Sequence, residues 1–191
     1  MKDLQLNELF KEFGFSAQEL RTLSDSLTTI HLKKGEYLLR AGQIVSNTYY
    51  VFDGCLRTFF IDESGRDHTL QFGIKDWWIS DYTAIFSRGK ATMNIECIQN
   101  ATLYRLSRER MEELYLELPA LETYFRKKLE RRMEAFHKRT LENLALSAKH
   151  RYLSFIERYP DIEQQVKNYH IASYLGITTE SLSRIRKEMT R

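Results

Sequence analysis

Apolar positions change their spacing twice along this chain. Leu4, Leu6, Leu9, Phe10 and Phe13, then Phe15, Leu20, Leu23 and Leu27, recur with a helical character, and Ser16 stands where it can N-cap a second short helix. From Thr29 to Ser107 the rhythm becomes short apolar runs divided by Gly35, Gly42, Asp53-Gly54, Glu63-Ser64-Gly65, Gly73 and Gly89. The run "TYYVFDGCLRTFFI" predicts strand, tight Asp-Gly turn, strand, because that dipeptide tolerates the positive φ angles of a hairpin. "TMNIECIQNATLYRLS" predicts a further hairpin. Many short strands with regular turns imply an antiparallel sandwich or barrel of about 80 residues.

After Ser107 no glycine occurs until Gly176, and the pattern turns helical: "RERMEELYLEL", then a long segment opened by Pro119. On that segment Leu121, Phe125, Leu129, Met133 (or Arg132), Phe136 and Thr140 form one stripe at steps of three and four. A run of about six turns is longer than a small barrel needs, so part of the stripe is expected to meet a partner helix. "SAKHRYLSFIERYP" predicts another amphipathic helix, closed by Pro160, and "DIEQQVKN" connects it to two short helices. The first carries Ile171, Ala172 and Leu175 and stops at Gly176; the second carries Leu182, Ile185 and Met189. Thr178 can N-cap the second, and Glu180 in its first turn suits the positive end of the helix dipole. Its outward face then holds Thr179, Glu180, Ser181, Arg184 and Lys187, free to touch something else.

Composition narrows the picture. The 191 residues, 42% hydrophobic and 13% aromatic, suffice for one ordinary core and a second small one. No run approaches the roughly 18 apolar residues that span a bilayer, and "MKDLQLNELFKEFGF" has neither the apolar block nor the cleavage site of a secretory signal. A cytoplasmic location and no membrane partner are therefore expected. Cys55 and Cys97 lie in alternating apolar stretches and read as packed, reduced thiols rather than a disulfide or metal pair. A metal-dependent cupin-like enzyme would need two or three histidines and a carboxylate on one ion, whereas His31, His68, His137, His150 and His170 are scattered. Phosphate loops, a serine nucleophile elbow and a Cys-His dyad are also missing. The residues point away from an enzyme, and no metal or cofactor is expected.

Charge is uneven. Residues 1–119 hold 14 Lys+Arg against 17 Asp+Glu (−3), and residues 120–191 hold 15 against 9 (+6), which together give the net +3. A basic C-terminal part beside an acidic N-terminal part suits a polyanion partner for the former, although solvated helix faces could give so small a surplus.

"KKGEYLLRAGQIVSNTYYVFDGCLRTFF" and "IASYLGITTESLSRIRKEM", in that order and separated by a long helix, resemble the bacterial transcription regulators named after the cyclic AMP receptor protein and FNR. The resemblance covers nearly the whole chain, with Gly35, Gly42 and Gly54 at the family's β-roll turns. It implies an α+β fold: an N-terminal antiparallel β-roll of cyclic nucleotide-binding type, a long dimerisation helix, and a C-terminal all-α helix-turn-helix. The corresponding divisions are 1–118 for the sensor domain with its N-terminal helices, 119–145 for the dimerisation helix, and 146–191 for the DNA-binding domain. Since only Thr190 and Arg191 follow the last helix, the family's wing is expected to be reduced or absent.

The resemblance also implies partners and roles. A homodimer would present two recognition helices about 34 Å apart to a palindromic duplex. RNA polymerase and a small-molecule effector of unknown identity are the further partners. Glu180, Ser181 and Arg184 fall where the family reads bases, with Thr179 beside them; an Arg can grip guanine O6 and N7 together, and a Glu can accept from cytosine N4. Thr178, Ser181, Arg186 and Lys187 suit phosphate contacts. Leu121, Phe125, Leu129, Met133, Phe136 and Thr140 are the dimer residues.

One cassette departs from the family. In nucleotide-binding members a Gly-Glu pair holds the ribose and an Arg-Ser pair the cyclic phosphate. In "DWWISDYTAIFSRGKATMNIEC" these places fall to Ser80-Asp81 and Ala91-Thr92, so the candidate effector pocket is Trp78, Ser80, Asp81, Ala91 and Thr92. A phosphate in a partly desolvated pocket needs a cation or a dense set of donors, and neither Arg88 nor Lys90 sits at the matching position. Cyclic AMP is therefore not the expected effector. The alternative keeps a cyclic nucleotide in a non-standard phosphate pocket, and a third reading makes the pocket vestigial.

Overall fold

The computed structural model describes residue 10 and residues 13–189. The expectations for Leu4, Leu6 and Leu9, and for the chain after Met189, concern residues outside that range. The elements run α1 (Ala17–Ser26), β1 (Thr28–Leu32), β2 (Tyr37–Leu39), β3 (Asn47–Ile61), β4 (Asp67–Gly73), β5 (Trp77–Ile79), α2 (Tyr82–Ser87) and β6 (Asn94–Ser107). Helices follow: α3 (Arg108–Glu117), α4 (Pro119–Ala145), α5 (Ala148–Arg158), α6 (Ile162–Gln165), α7 (Asn168–Leu175) and α8 (Thr179–Met189). The class is α+β, and no strand follows Ser107 among the described residues.

Local chemistry sets the helix ends. Ser16 Oγ accepts the Glu19 amide at 3.3 Å and Glu19 Oε2 accepts the Ser16 amide at 2.7 Å, so two end donors that no helix carbonyl can reach are satisfied reciprocally. Ser107 caps α3 in the same position, accepting from the Arg110 amide. Pro119 opens α4, as its missing N–H costs nothing in a first turn.

The sheet is antiparallel in the pairings of β1 and β2 with β6 and of β5 with β3, and it runs β1-β6-β3-β4, with β2 beside β6 and β5 beside β3. Two expected hairpins are instead single strands. β3 passes straight through Asp53-Gly54. Gly54 has φ 91°, and a Cβ there would lie 2.3 Å from the Asn100 carbonyl oxygen and 2.6 Å from the Ala101 Cα. The glycine thus permits close approach of β6 within a long strand and does not reverse the chain. β6 likewise runs unbroken through Gln99-Asn100. There its neighbours change, from β2 at Ile95 and Glu96 to β1 at Ala101 through Arg105. Asn100 Oδ1 accepts the Lys34 amide at 2.9 Å, so the polar pair marks the turn of the partner strands. The Glu63-Ser64-Gly65 turn forms where expected, with the Asp62 amide donating to the Arg66 carbonyl.

The chain divides into two compact units, 1–58 with 72–130 and 59–71 with 131–191. In the first, side chains alternate between two cores. Val51, Ile79, Ile95, Cys97 and Leu103 pack inside the roll, while their neighbours Tyr50, Trp78 and Tyr104 join Leu20, Leu23, Leu114, Leu121 and Tyr124 on its helical side. A period of two sends consecutive residues to opposite faces, which explains both apolar partners. In the second, Phe155, Tyr159 and Tyr174 meet with ring centroids 5.3–5.8 Å apart, beside buried Ile171, Leu175, Leu182 and Ile185.

Candidate nucleic-acid interface and anion cradle

α7 and α8 are joined by a turn of three residues. Gly176 adopts φ 66°, a left-handed conformation that ends α7, and the Ile177 amide donates back to the Ala172 carbonyl at 3.0 Å. Thr178 Oγ1 then accepts the Ser181 amide at 3.2 Å, capping α8 as expected. Leu182 and Ile185 bury the inner side of α8. Glu180, Ser183, Arg184 and Lys187 are exposed at steps of three and four, while Thr179 and Ser181 are half-buried. Ser183 was absent from the sequence-based set; its place between Leu182 and Arg184 on the exposed arc was the signal for it. The Glu180 carboxyl is held below the ordinary range by its own backbone N–H and the hydroxyls of Thr178 and Thr179.

Arg186, expected at a phosphate, is engaged by other side chains of its own unit. Its guanidinium donates to Asn168 Oδ1 at 2.6 Å and Tyr152 Oη at 3.0 Å and pairs with Glu163 Oε1 at 2.8 Å. Tyr152 donates to the same Glu163 oxygen at 2.6 Å, closing a network that ties α8 to α5, α6 and α7. A cation committed to a carboxylate and two neutral acceptors presents little charge outward.

The α4 stripe divides. Leu121 and Phe125 are buried in the chain's own core, against α3 and the sheet, so they are not free for a second subunit. Leu129, Met133 and Phe136 are 41%, 56% and 54% exposed, and Leu141 and Leu144, absent from the expected set, are 65% and 80% exposed. Thr140 spends its hydroxyl on the Phe136 carbonyl at 2.9 Å.

Of the candidate effector-pocket residues, Asp81 and Thr92 are joined by hydrogen bonds, Ala91 packs in the core of the roll, and Trp78 belongs to the core on the helical side. Trp78, Ser80, Asp81 and Ala91 are all buried. Trp78 Nε1 donates to Tyr124 Oη at 3.0 Å and its ring packs 4.8 Å from that of Phe125, so this tryptophan reaches the long helix. Ser80 donates to the Asn47 carbonyl at 2.9 Å. Asp81 is wholly buried and accepts on both oxygens: Oδ1 from the Ala84 amide at 3.1 Å, Oδ2 from the Thr92 amide at 2.8 Å, the Thr92 hydroxyl at 3.2 Å and the Met93 amide at 3.2 Å. Arg88 and Lys90 are exposed, and the Asp81 partners named here are uncharged. Among the described residues, no group of three or more His, Cys, Asp or Glu side chains is placed to hold a metal ion.

Residues 29–117 match the model of the cyclic nucleotide-binding domain. The chain is 23% identical over 198 residues to the transcriptional activator protein Anr of Pseudomonas protegens, covering 96% of this chain and 80% of that protein. It is 22% identical to the transcriptional activator protein FnrA of Stutzerimonas stutzeri, with the same coverage. Among solved structures, the c-di-GMP-responsive global regulator CLP of Xanthomonas campestris superposes with a TM-score of 0.75 at 13% identity over 92% of each chain. FixK2 of Bradyrhizobium japonicum gives 0.75 at 16% identity, over 86% of this chain and 84% of that one. No helix among the described residues is long and apolar enough to cross a membrane.

Proposed function

We infer that this chain, which belongs to the Crp/Fnr family of transcription regulators, reads DNA through the exposed arc of α8 as a homodimer on a palindromic site. The observation that carries the reading is that arc: Glu180, Ser183, Arg184 and Lys187 point outward from a helix whose other side is anchored by Leu182 and Ile185. Base-edge contact falls to Glu180, Ser181 and Arg184, and phosphate contact to Thr178, Thr179, Ser183 and Lys187. Dimerisation falls to Leu129, Met133 and Phe136, extended by Leu141 and Leu144, because apolar side chains this exposed on one helix gain by pairing with a second copy. Residues 1–118 then act as the sensor domain, 119–145 as the dimerisation helix and 146–191 as the DNA-binding domain, in the cytoplasm and without enzymatic activity.

Cyclic AMP is not the effector in this reading. Ala91 stands where the family places its phosphate-binding arginine, and Asp81 brings an acidic group to the same spot. The test is a titration of selected operator fragments and random duplex with the full chain, at fixed salt, by fluorescence anisotropy. Preference for a palindromic fragment by a dimer, unchanged by cyclic AMP, is expected; a monomer with no preference among fragments overturns the proposal.

A further inference from the structure

We propose that the Asp81 carboxylate is an internal substitute for an effector phosphate, filling an oxyanion cradle formed by Thr92 and Met93. The proposal rests on the family reading of the "ISDYTAIFSRGKATM" segment as the phosphate cassette. Its physical basis is the division of labour between the two carboxylate oxygens.

Asp81 is the N-cap of α2, and Oδ1 alone performs that task, accepting the Ala84 amide at 3.1 Å. Oδ2 contributes nothing to the cap. It reaches a segment eleven residues on and accepts three donors there: the Thr92 amide at 2.8 Å, the Thr92 hydroxyl at 3.2 Å and the Met93 amide at 3.2 Å. Consecutive backbone amides and a hydroxyl converging on one oxygen are the donor set of an oxyanion site. Left empty, part-buried donors converging in this way would lose their acceptor on the protein side, and an ordinary sensor supplies one with a ligand. Here a side chain supplies it. Thr92 is exposed, so the cradle lies next to solvent and a free oxyanion can enter once the carboxylate is gone. The ligand class is a phosphate or phosphoester, and the wild type needs none.

The test uses the full-length protein and Asp81→Ser. A serine hydroxyl keeps the helix cap and is too short to reach Thr92. The probe is inorganic phosphate, with potassium chloride at matched ionic strength as control. Phosphate is expected to raise the melting temperature of the variant by about 2–4 °C beyond the chloride control and to leave the wild type at the control value. Folding of the variant in phosphate alone supports the proposal equally; a variant that ignores phosphate, or fails to fold with it, overturns it. Hydrogen exchange of the wild type supplies a measurement that needs no variant. The Thr92 and Met93 amides are expected to exchange slowly without any oxyanion, and fast exchange that phosphate slows overturns the proposal, as does micromolar binding of cyclic AMP. Loss of operator preference by the wild type would overturn the DNA-binding reading and leave these results standing.

Discussion

Trp78 donates its indole N–H to the Tyr124 phenol oxygen at 3.0 Å, a hydrogen bond from the sheet to the long helix where both rings are buried. Burial pushes the Tyr124 hydroxyl above its ordinary range, so it remains a neutral acceptor throughout the working pH range. Tyr124→Phe removes the acceptor and leaves a buried indole N–H without it. The expected loss of unfolding free energy is about 1–3 kcal/mol, read as a shift of the urea midpoint with an unchanged slope. An unchanged urea midpoint for Tyr124→Phe would show that the bond matters little.

Arg184 and Lys187 lie one turn apart on the exposed arc of α8, and their chemistry separates them. Arg184→Ala is expected to lower discrimination between operator and random duplex by about 1–3 kcal/mol. Lys187→Ala is expected to weaken both alike and to reduce the salt dependence by about one counterion. Anisotropy titrations across a salt series measure the two effects, and identical behaviour of the variants would contradict the assigned roles.

Met133→Glu and Phe136→Glu each put a charge on the exposed stripe of α4. Sedimentation velocity is expected to show monomers for the double variant, with the wild-type melting profile of the monomer unit retained. A dimer that survives both charges would move the interface elsewhere.

Asp62 makes the tip of the β3–β4 hairpin sensitive to acid. The Ser64 hydroxyl, and after it the His68 ring at 2.7 Å, hold its carboxyl far below the usual carboxylate range. A depressed carboxyl binds fewer protons folded than unfolded, so its contribution is complete above an unfolded value of about 4 and is lost as pH falls below it. Amide exchange at Ser64 and Arg66 is expected to quicken relative to the rest of the sheet below about pH 4. In Asp62→Asn that pH dependence disappears.

The sequence is most legible where structure is decided locally. Ser16, Thr178, Gly176 and Pro119 each act on amides or carbonyls within a few positions, and each does what its residue type dictates. Gly54 misleads because its reason lies in another strand: only the nearness of Asn100 and Ala101 tells a close approach from a turn. The engagement of Arg186 is hidden in the same way, since its partners Glu163 and Asn168 are 23 and 18 positions distant. Asp81 was found by its place in the cassette, yet no sequence pattern reveals that both of its oxygens are already in use.

The network at the base of α8 carries a consequence for how target preference changes over time. A helix seated on just two large buried side chains takes its angle from directional bonds, and those of Arg186 to Tyr152, Asn168 and Glu163 behave as spokes on a hub. Exchanging a spoke re-aims the helix without unfolding it. New operator preferences are then open to mutation at residues that never meet a base, far from the positions a contact map would single out.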